Sequence, residues 1–232
     1  MPLYLTLELC SLIIPLILSF DKKVGFYKQW PALFPSIFVT GVSFILVDIY
    51  FTRKGIWGFN PHYHSDILIA GLPLEEWLFF IVIPYSGIFI HYILFAYYPG
   101  AFLSDKITRI ISVIILAGLM LIIVTGYEKA YTFFYSSLMA IVMVFALFEK
   151  TRIINRFYVS FLVILIPFFI INGILTGSFI KDEVVWYNSS EIMGIRIFTV
   201  PAEDIAYGFS LILINLLLMN YFRKVFHKNQ GI

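Results

Sequence analysis

Pro73-Leu74-Glu75-Glu76 opens one long apolar run, and Pro201-Ala202-Glu203-Asp204 opens another. Each tetrad closes a polar, aromatic loop, running from Trp57 through Asn60 to Gly71 in the first case and from Trp186 through Asn188 to Gly194 in the second. The Trp-to-Pro spacing is 16 residues in one copy and 15 in the other. Proline does no harm at a helix start, where the N–H lacks an intrahelical partner. Pro73 and Pro201 therefore set the carboxylates within a first helical turn. A repeat of this kind constrains architecture before any residue is given a role.

Working outward, 61% hydrophobic and 13% charged residues with a mean hydropathy of +0.93 exclude an ordinary soluble domain. Apolar runs near residues 3–20, 31–51, 74–97, 107–125, 130–148, 156–176 and 202–221 are each about long enough to cross a bilayer as a helix of ~20 residues. The expected fold is an all-α membrane protein with seven transmembrane helices. The echo continues beyond the tetrads. Asp48 lies late in run two and Asn172 late in run six, each before a Gly-bearing loop. Runs one to three thus match runs five to seven, with run four as connector. This gives a 3+1+3 arrangement of two parallel repeats: residues 1–105, connector 106–128, and 129–232. Small transporters share such an arrangement, so architecture alone does not separate enzyme from transporter. Pro15, Pro35, Pro84 and Pro167 fall inside runs, where neighbouring helices tolerate a kink.

Assigning loops alternately to two sides puts Lys22, Lys23, Lys28, Lys106, Arg109, Lys150, Arg152, Arg156, Arg223, Lys224 and Lys228 together. Arg53, Lys54, Lys129, Lys181 and Arg196 fall on the other side. Eleven against five predicts a cytoplasmic C-terminus, an outer N-terminus and both tetrads toward the outer face. Charge beside spans is topological, and nucleic acid is not an expected partner. Cys10 is the single cysteine, which excludes an internal disulfide. Without a basic leader region or a small-residue cleavage signal, the first run is expected to be retained as a helix.

Glu75 and Glu203 have an undemanding explanation, since helix N-termini favour negative charge by about 0.3–1 kcal/mol. Ionisable groups at membrane depth nevertheless point to function, because desolvating them is costly. A protonated and an ionised acid side by side is the arrangement general acid–base chemistry requires. Adjacent helical residues lie about 100° apart, so one member of each pair faces a cavity and the other orients it. Trp57, Phe59, Trp77, Phe79 and Phe80, with Trp186, Tyr187 and Tyr207, gather around the acids in sequence. Aromatic faces stabilise a cation when water is excluded, and this combination suits carbocation chemistry on a lipophilic alkene. His62, His64 and Asp66 read as loop polarity, and no metal is expected. An intramembrane prenyl-peptide metalloprotease needs an Arg where Phe80 stands, which excludes that class. Nor does the chain carry a Gly-x-Gly-x-x-Gly dinucleotide fingerprint.

At these residues the chain resembles the lycopene cyclase domain family, the flavin-independent integral-membrane type, in its tandem single-chain bacterial form. The first copy supplies Asp48, Arg53, Gly55-Ile56-Trp57, Asn60 and Pro73-Leu74-Glu75-Glu76 with Phe79-Phe80. The second supplies Trp186, Asn188, Gly194, Arg196 and Pro201-Ala202-Glu203-Asp204, with Asn172 in place of Asp48 and Asp204 in place of Glu76. The resemblance implies conversion of the linear ψ-ends of lycopene to β-ionone rings, through γ-carotene to β-carotene. This is an intramolecular lyase (isomerase) reaction that calls for no cofactor. It implies Glu75, Glu76, Glu203 and Asp204 as acid and base. Asp48 and Asn172 would be orienting groups, Arg53 and Arg196 modulators of carboxylate charge, and Trp57, Asn60, Phe79, Phe80, Trp186 and Asn188 part of the substrate surround. The implied partners are a carotenoid and the lipid of a bacterial cytoplasmic membrane, and with both halves in one chain a monomer can be complete. Alternatives with the same residues are a carotenoid hydratase, a cyclase of C50 carotenoids and a small 3+1+3 transporter.

Overall fold

The computed structural model describes residues 1–229, with side chains through Phe226. The Lys228 side chain and the C-terminus, both assigned above to the basic side, lie outside that description. Every apolar run becomes a helix: α1 Leu3–Leu18, α2 Trp30–Arg53, α3 Leu74–Tyr97, α4 Asp105–Thr125, α5 Ala130–Phe148, α6 Ile153–Leu175 and α7 Glu203–Asn229. Six are long and apolar enough to cross a membrane. The exception, α1, has 16 residues, which rise about 24 Å against a hydrocarbon layer of about 30 Å. Its last turn closes where Ser19 Oγ donates to the Pro15 carbonyl at 2.7 Å. The chain is an all-α, multi-pass membrane protein.

The loops before the tetrads are more ordered than their composition suggests. Six short strands lie there: β1 Trp57–Phe59, β2 Leu68–Ile69, β3 Leu72–Pro73, β4 Val185–Tyr187, β5 Arg196–Ile197 and β6 Val200–Pro201. β2 and β3 form a hairpin whose two turn residues, Ala70 (φ 55°) and Gly71 (φ 91°), both have left-handed backbone, the twist that two-residue hairpins favour. β5 and β6 repeat it with Phe198 (φ 57°) at the first turn position. Behind each hairpin the same bond pins the start of the acid-bearing helix. Leu74 N–H donates to Ile67 O at 2.9 Å, and Ala202 N–H to Ile195 O at 2.9 Å.

β1 and β4 join the two halves. They pair antiparallel with Trp57 opposite Tyr187, Gly58 opposite Trp186 and Phe59 opposite Val185. The pairing is symmetric about Gly58 and Trp186, so these two are equivalent positions. The tryptophan echo read from the sequence is thereby corrected: Trp57 and Trp186 are one residue out of register, which is why their spacings to proline differ. On a strand, one residue of slip moves a side chain to the opposite face. Accordingly Trp57 is 5% exposed and Trp186 37%.

The helices interlock in the same symmetric sense. α1 packs along α3, and α5 along α7; α2 crosses to the other half and packs on α7, while α6 packs on α3. α4 lies outside on α5, and its exposed apolar face (Ile114 and Leu121 are both 66% exposed) suits lipid contact. Both tetrad loops share one end of the bundle with the start of α1 and α5, through Tyr4 N–H to Tyr63 O at 3.1 Å and Tyr131 N–H to Glu191 O at 3.2 Å. At the other end lie the described basic residues grouped above, where Leu103 N–H meets Asn155 O at 3.0 Å.

Candidate active site

The two acids of each tetrad point different ways, as the 100° step between helical neighbours requires. Glu75 turns back to its own loop and accepts from Ser65 N–H (2.7 Å) and Ser65 Oγ (3.0 Å). Glu203 does the same, accepting from Met193 N–H at 2.6 Å and from Thr132 Oγ1 on α5 at 2.6 Å. All four carboxyls are buried. Glu75 and Glu203 fasten loop to helix, and they do not line the cavity described next.

Glu76 and Asp204 do. Both face one cavity of about 380 Å³ enclosed by α1, α3, α6 and α7 and roofed by Trp57 and Tyr187. Tyr4 on α1 donates to Glu76 Oε2 at 2.6 Å. Its counterpart on α5, Tyr131, donates to Asp204 Oδ1 at 2.8 Å, and Tyr187 donates to Asp204 Oδ2 at 3.0 Å. Burial, with Asp204 beside it, pushes the Tyr187 phenol well above its ordinary range, so Tyr187 acts as a donor. Asp204 therefore has a hydroxyl on each oxygen, whereas Glu76 Oε1 accepts no hydrogen bond among the described residues. The remaining walls are apolar, including Phe79, Ile83, Phe168 and Leu211. At one side the lining reaches Cys10, Ile14 and Ile170 on the outer surfaces of α1 and α6, with Ile14 and Ile170 64% and 59% exposed. A lipophilic molecule in the bilayer thus meets the cavity laterally.

Of the other residues singled out in the sequence, Trp57, Phe79 and Asn172 line this cavity. Phe80 does not; it is 1% exposed and packs on Phe44 with ring centroids 6.1 Å apart. Asp48 is buried on α2, outside the cavity lining, with Tyr135 donating to Oδ1 at 3.3 Å and Oδ2 without a hydrogen bond among the described residues. Asn60 and Asn188 shape the loops: their Oδ1 atoms accept from His62 N–H and Ser190 N–H, each at 3.1 Å. Trp186 covers Gly58. Arg53 is exposed at the end of α2, while Arg196 donates to Thr199 O and lies 5.9 Å from the Tyr187 ring centroid.

Tyr4, Tyr131, Ser65, Thr132 and Glu8 belong to the site or its supports without standing out in the sequence. Tyr4 and Tyr131 were within reach, since each is the first tyrosine of a matched helix, but they sit among 15 tyrosines. Glu8, one turn beyond Tyr4, is 2% exposed, with neither oxygen hydrogen-bonded among the described residues. A single Glu within an apolar run was the available signal.

The symmetric counterpart of the cavity, between α2, α3, α5 and α7, is filled. Phe44, Phe51, Tyr135 and Tyr207 pack there with ring centroids as close as 4.9 Å. One half-site is open and the other closed, although the framework is duplicated.

The lycopene cyclase family model matches residues 1–94 and again residues 128–222. The chain belongs to the lycopene cyclase family. No curated protein and no solved structure matches it. The two matched regions contain the two acid pairs, the two hairpins and the β1–β4 pairing that joins them. As a lycopene cyclase family member it is a carotenoid-cyclising enzyme in a membrane setting, acting on a lipophilic carotenoid.

Proposed function

We propose that the protein is a lycopene β-cyclase, with Glu76 as proton donor and Asp204 as the carboxylate that stabilises the cation and then removes a proton. The observation that carries this reading is that two acids from opposite repeats share one aromatic-lined, lipid-facing cavity. Glu76, with a single hydroxyl donor and one oxygen without a hydrogen bond among the described residues, suits delivery of a proton. Asp204, held by Tyr131 and Tyr187, is stabilised as an anion. Protonation of the terminal alkene at C2 leaves a tertiary cation at C1. The C5=C6 alkene attacks it, forming the C1–C6 bond and moving the cation to C5. Loss of the C6 proton restores a double bond within the ring, so no electrons are gained or lost. Trp57, Phe79 and Tyr207 present rings to this path and exclude water, which would otherwise capture the cation. Glu75 and Glu203 hold the loops that lead into the hairpins, and with them the starts of the helices that carry their neighbours.

Because one half-site is filled by aromatics, one ψ-end reacts at a time, and two rings require release and re-entry. Expression in a lycopene-accumulating bacterium tests the assignment. Pigment analysis is expected to show γ-carotene appearing before β-carotene. Lycopene that stays unchanged while the protein accumulates in membranes, or conversion to a tertiary alcohol, would overturn it.

A further inference from the structure

At the end of the bundle away from the acids lies a larger cavity, of about 650 Å³, between the end of α3 and the start of α6, with α7 behind. Two guanidinium groups, of Arg156 and Arg223, line it and have no carboxylate partner among the described residues. The nearby acids are already engaged. Asp105 pairs with Arg152 and accepts from Asn155 Nδ2 at 2.7 Å, while Glu149 accepts from Asn220 Nδ2 at 2.9 Å and Lys224 Nζ at 3.2 Å. Arg223 is half-buried on α7, and its Nε and one terminal nitrogen are buried with no hydrogen-bond acceptor among the described residues. A buried donor without an acceptor is costly, the more so when charged.

Aromatic rings fix both guanidinium groups in place. Arg223 stands 5.4 Å from the Tyr92 ring centroid and Arg156 5.2 Å from that of Phe95, one turn further along α3. Each ring thus holds its guanidinium group at the cavity wall, where both arginines line the space. We propose that this cavity binds a phosphate-bearing ligand, the headgroup of an acidic phospholipid or a free phosphate. Two rigid forks offer paired donors, a geometry that matches phosphate oxygens better than a single point charge does. Two uncompensated positive charges also match the one to two negative charges of a phosphate group. The site lies at a helix-end level beside basic loops, where pockets between membrane helices take up anionic headgroups. Apolar walls from Phe102 and Leu216 provide a surface for the rest of such a molecule. This site is separate from the acid cavity and does not depend on the reaction assigned there.

The test is thermal unfolding of the full chain in an uncharged detergent, titrated with dioleoylphosphatidylglycerol, inorganic phosphate or dioleoylglycerol. Phosphatidylglycerol at saturation is expected to raise Tm by about 3 °C or more. Arg223→Gln and Arg156→Gln are each expected to weaken the apparent affinity about tenfold or more. Should Arg223→Gln fail to accumulate, Arg156→Gln carries the comparison. A rise with phosphatidylglycerol alone identifies the lipid, and an equal rise with inorganic phosphate identifies the free anion; both support the proposal. No rise with either, an equal rise with dioleoylglycerol, or the same response in wild type and both variants would overturn it.

Discussion

At the residue scale the decisive feature is the division of labour within each acid pair. Glu75 and Glu203 bond to backbone N–H groups of their own loops, while Glu76 and Asp204 face the cavity. If that division is functional, Glu76→Gln and Asp204→Asn should each cut ring formation by about 10²–10⁴-fold, the usual range for loss of a general acid or base. Protein yield in membranes should hold. Glu75→Gln and Glu203→Gln should instead lower Tm, each weakening a buried charge-assisted hydrogen bond of about 1.5–3 kcal/mol, and leave most of the turnover. Pigment analysis and thermal unfolding of the four variants read this pattern, and equal loss of activity across all four would remove the distinction. The sequence made the pairs conspicuous, because carboxylates at membrane depth need a reason. It did not show which member faces inward, since that depends on how α3 and α7 are rotated against α1 and α6. The partner tyrosines were hidden for a related cause. Tyr4 lies 72 residues from Glu76 and Tyr131 lies 73 from Asp204, separations at which no local pattern speaks.

At the scale of elements, the helices were legible and the strands were not. Runs such as 74–97 and 130–148 coincide with α3 and α5 because a span must satisfy its own backbone hydrogen bonds in lipid. Strands of two and three residues show no alternation, and an Ala-Gly turn is a weaker hairpin signal than Asn-Gly. Yet these strands aim the acids and join the halves. The contact of Trp186 with Gly58 shows how tightly: a Cβ at Gly58 would lie 2.6 Å from Trp186 Cζ2. Gly58→Ala should therefore destabilise by about 1–3 kcal/mol, the usual cost of overpacking. Adding Trp186→Ala should recover most of that loss in a thermal unfolding measurement. Failure of the second change to recover stability would mean that this contact does not set the junction.

Across the whole molecule, the duplication legible in the sequence becomes an interlocked pair rather than two side-by-side units, since α2 packs on α7 and α6 on α3. We take residues 1–105 and 129–232 as former subunits, with 106–128 as the connector. Residues 1–105 and 106–232, expressed as separate chains, should then restore part of the cyclisation together and none singly, as pigment extraction would show. Complete inactivity of the pair with both pieces inserted would make the covalent link essential. What the sequence could not show is that the two half-sites differ. Filling of one by Phe44, Phe51, Tyr135 and Tyr207 depends on packing between helices far apart in the chain. The most direct test of the acid–base account is turnover of lycopene by membranes in deuterated water, followed by mass spectrometry and localisation of the label. The carboxyl that protonates C2 exchanges with water between turnovers, while the proton lost leaves from C6. Each β-ring should therefore carry one deuterium, at C2. A ring formed without deuterium would contradict protonation by an enzyme acid.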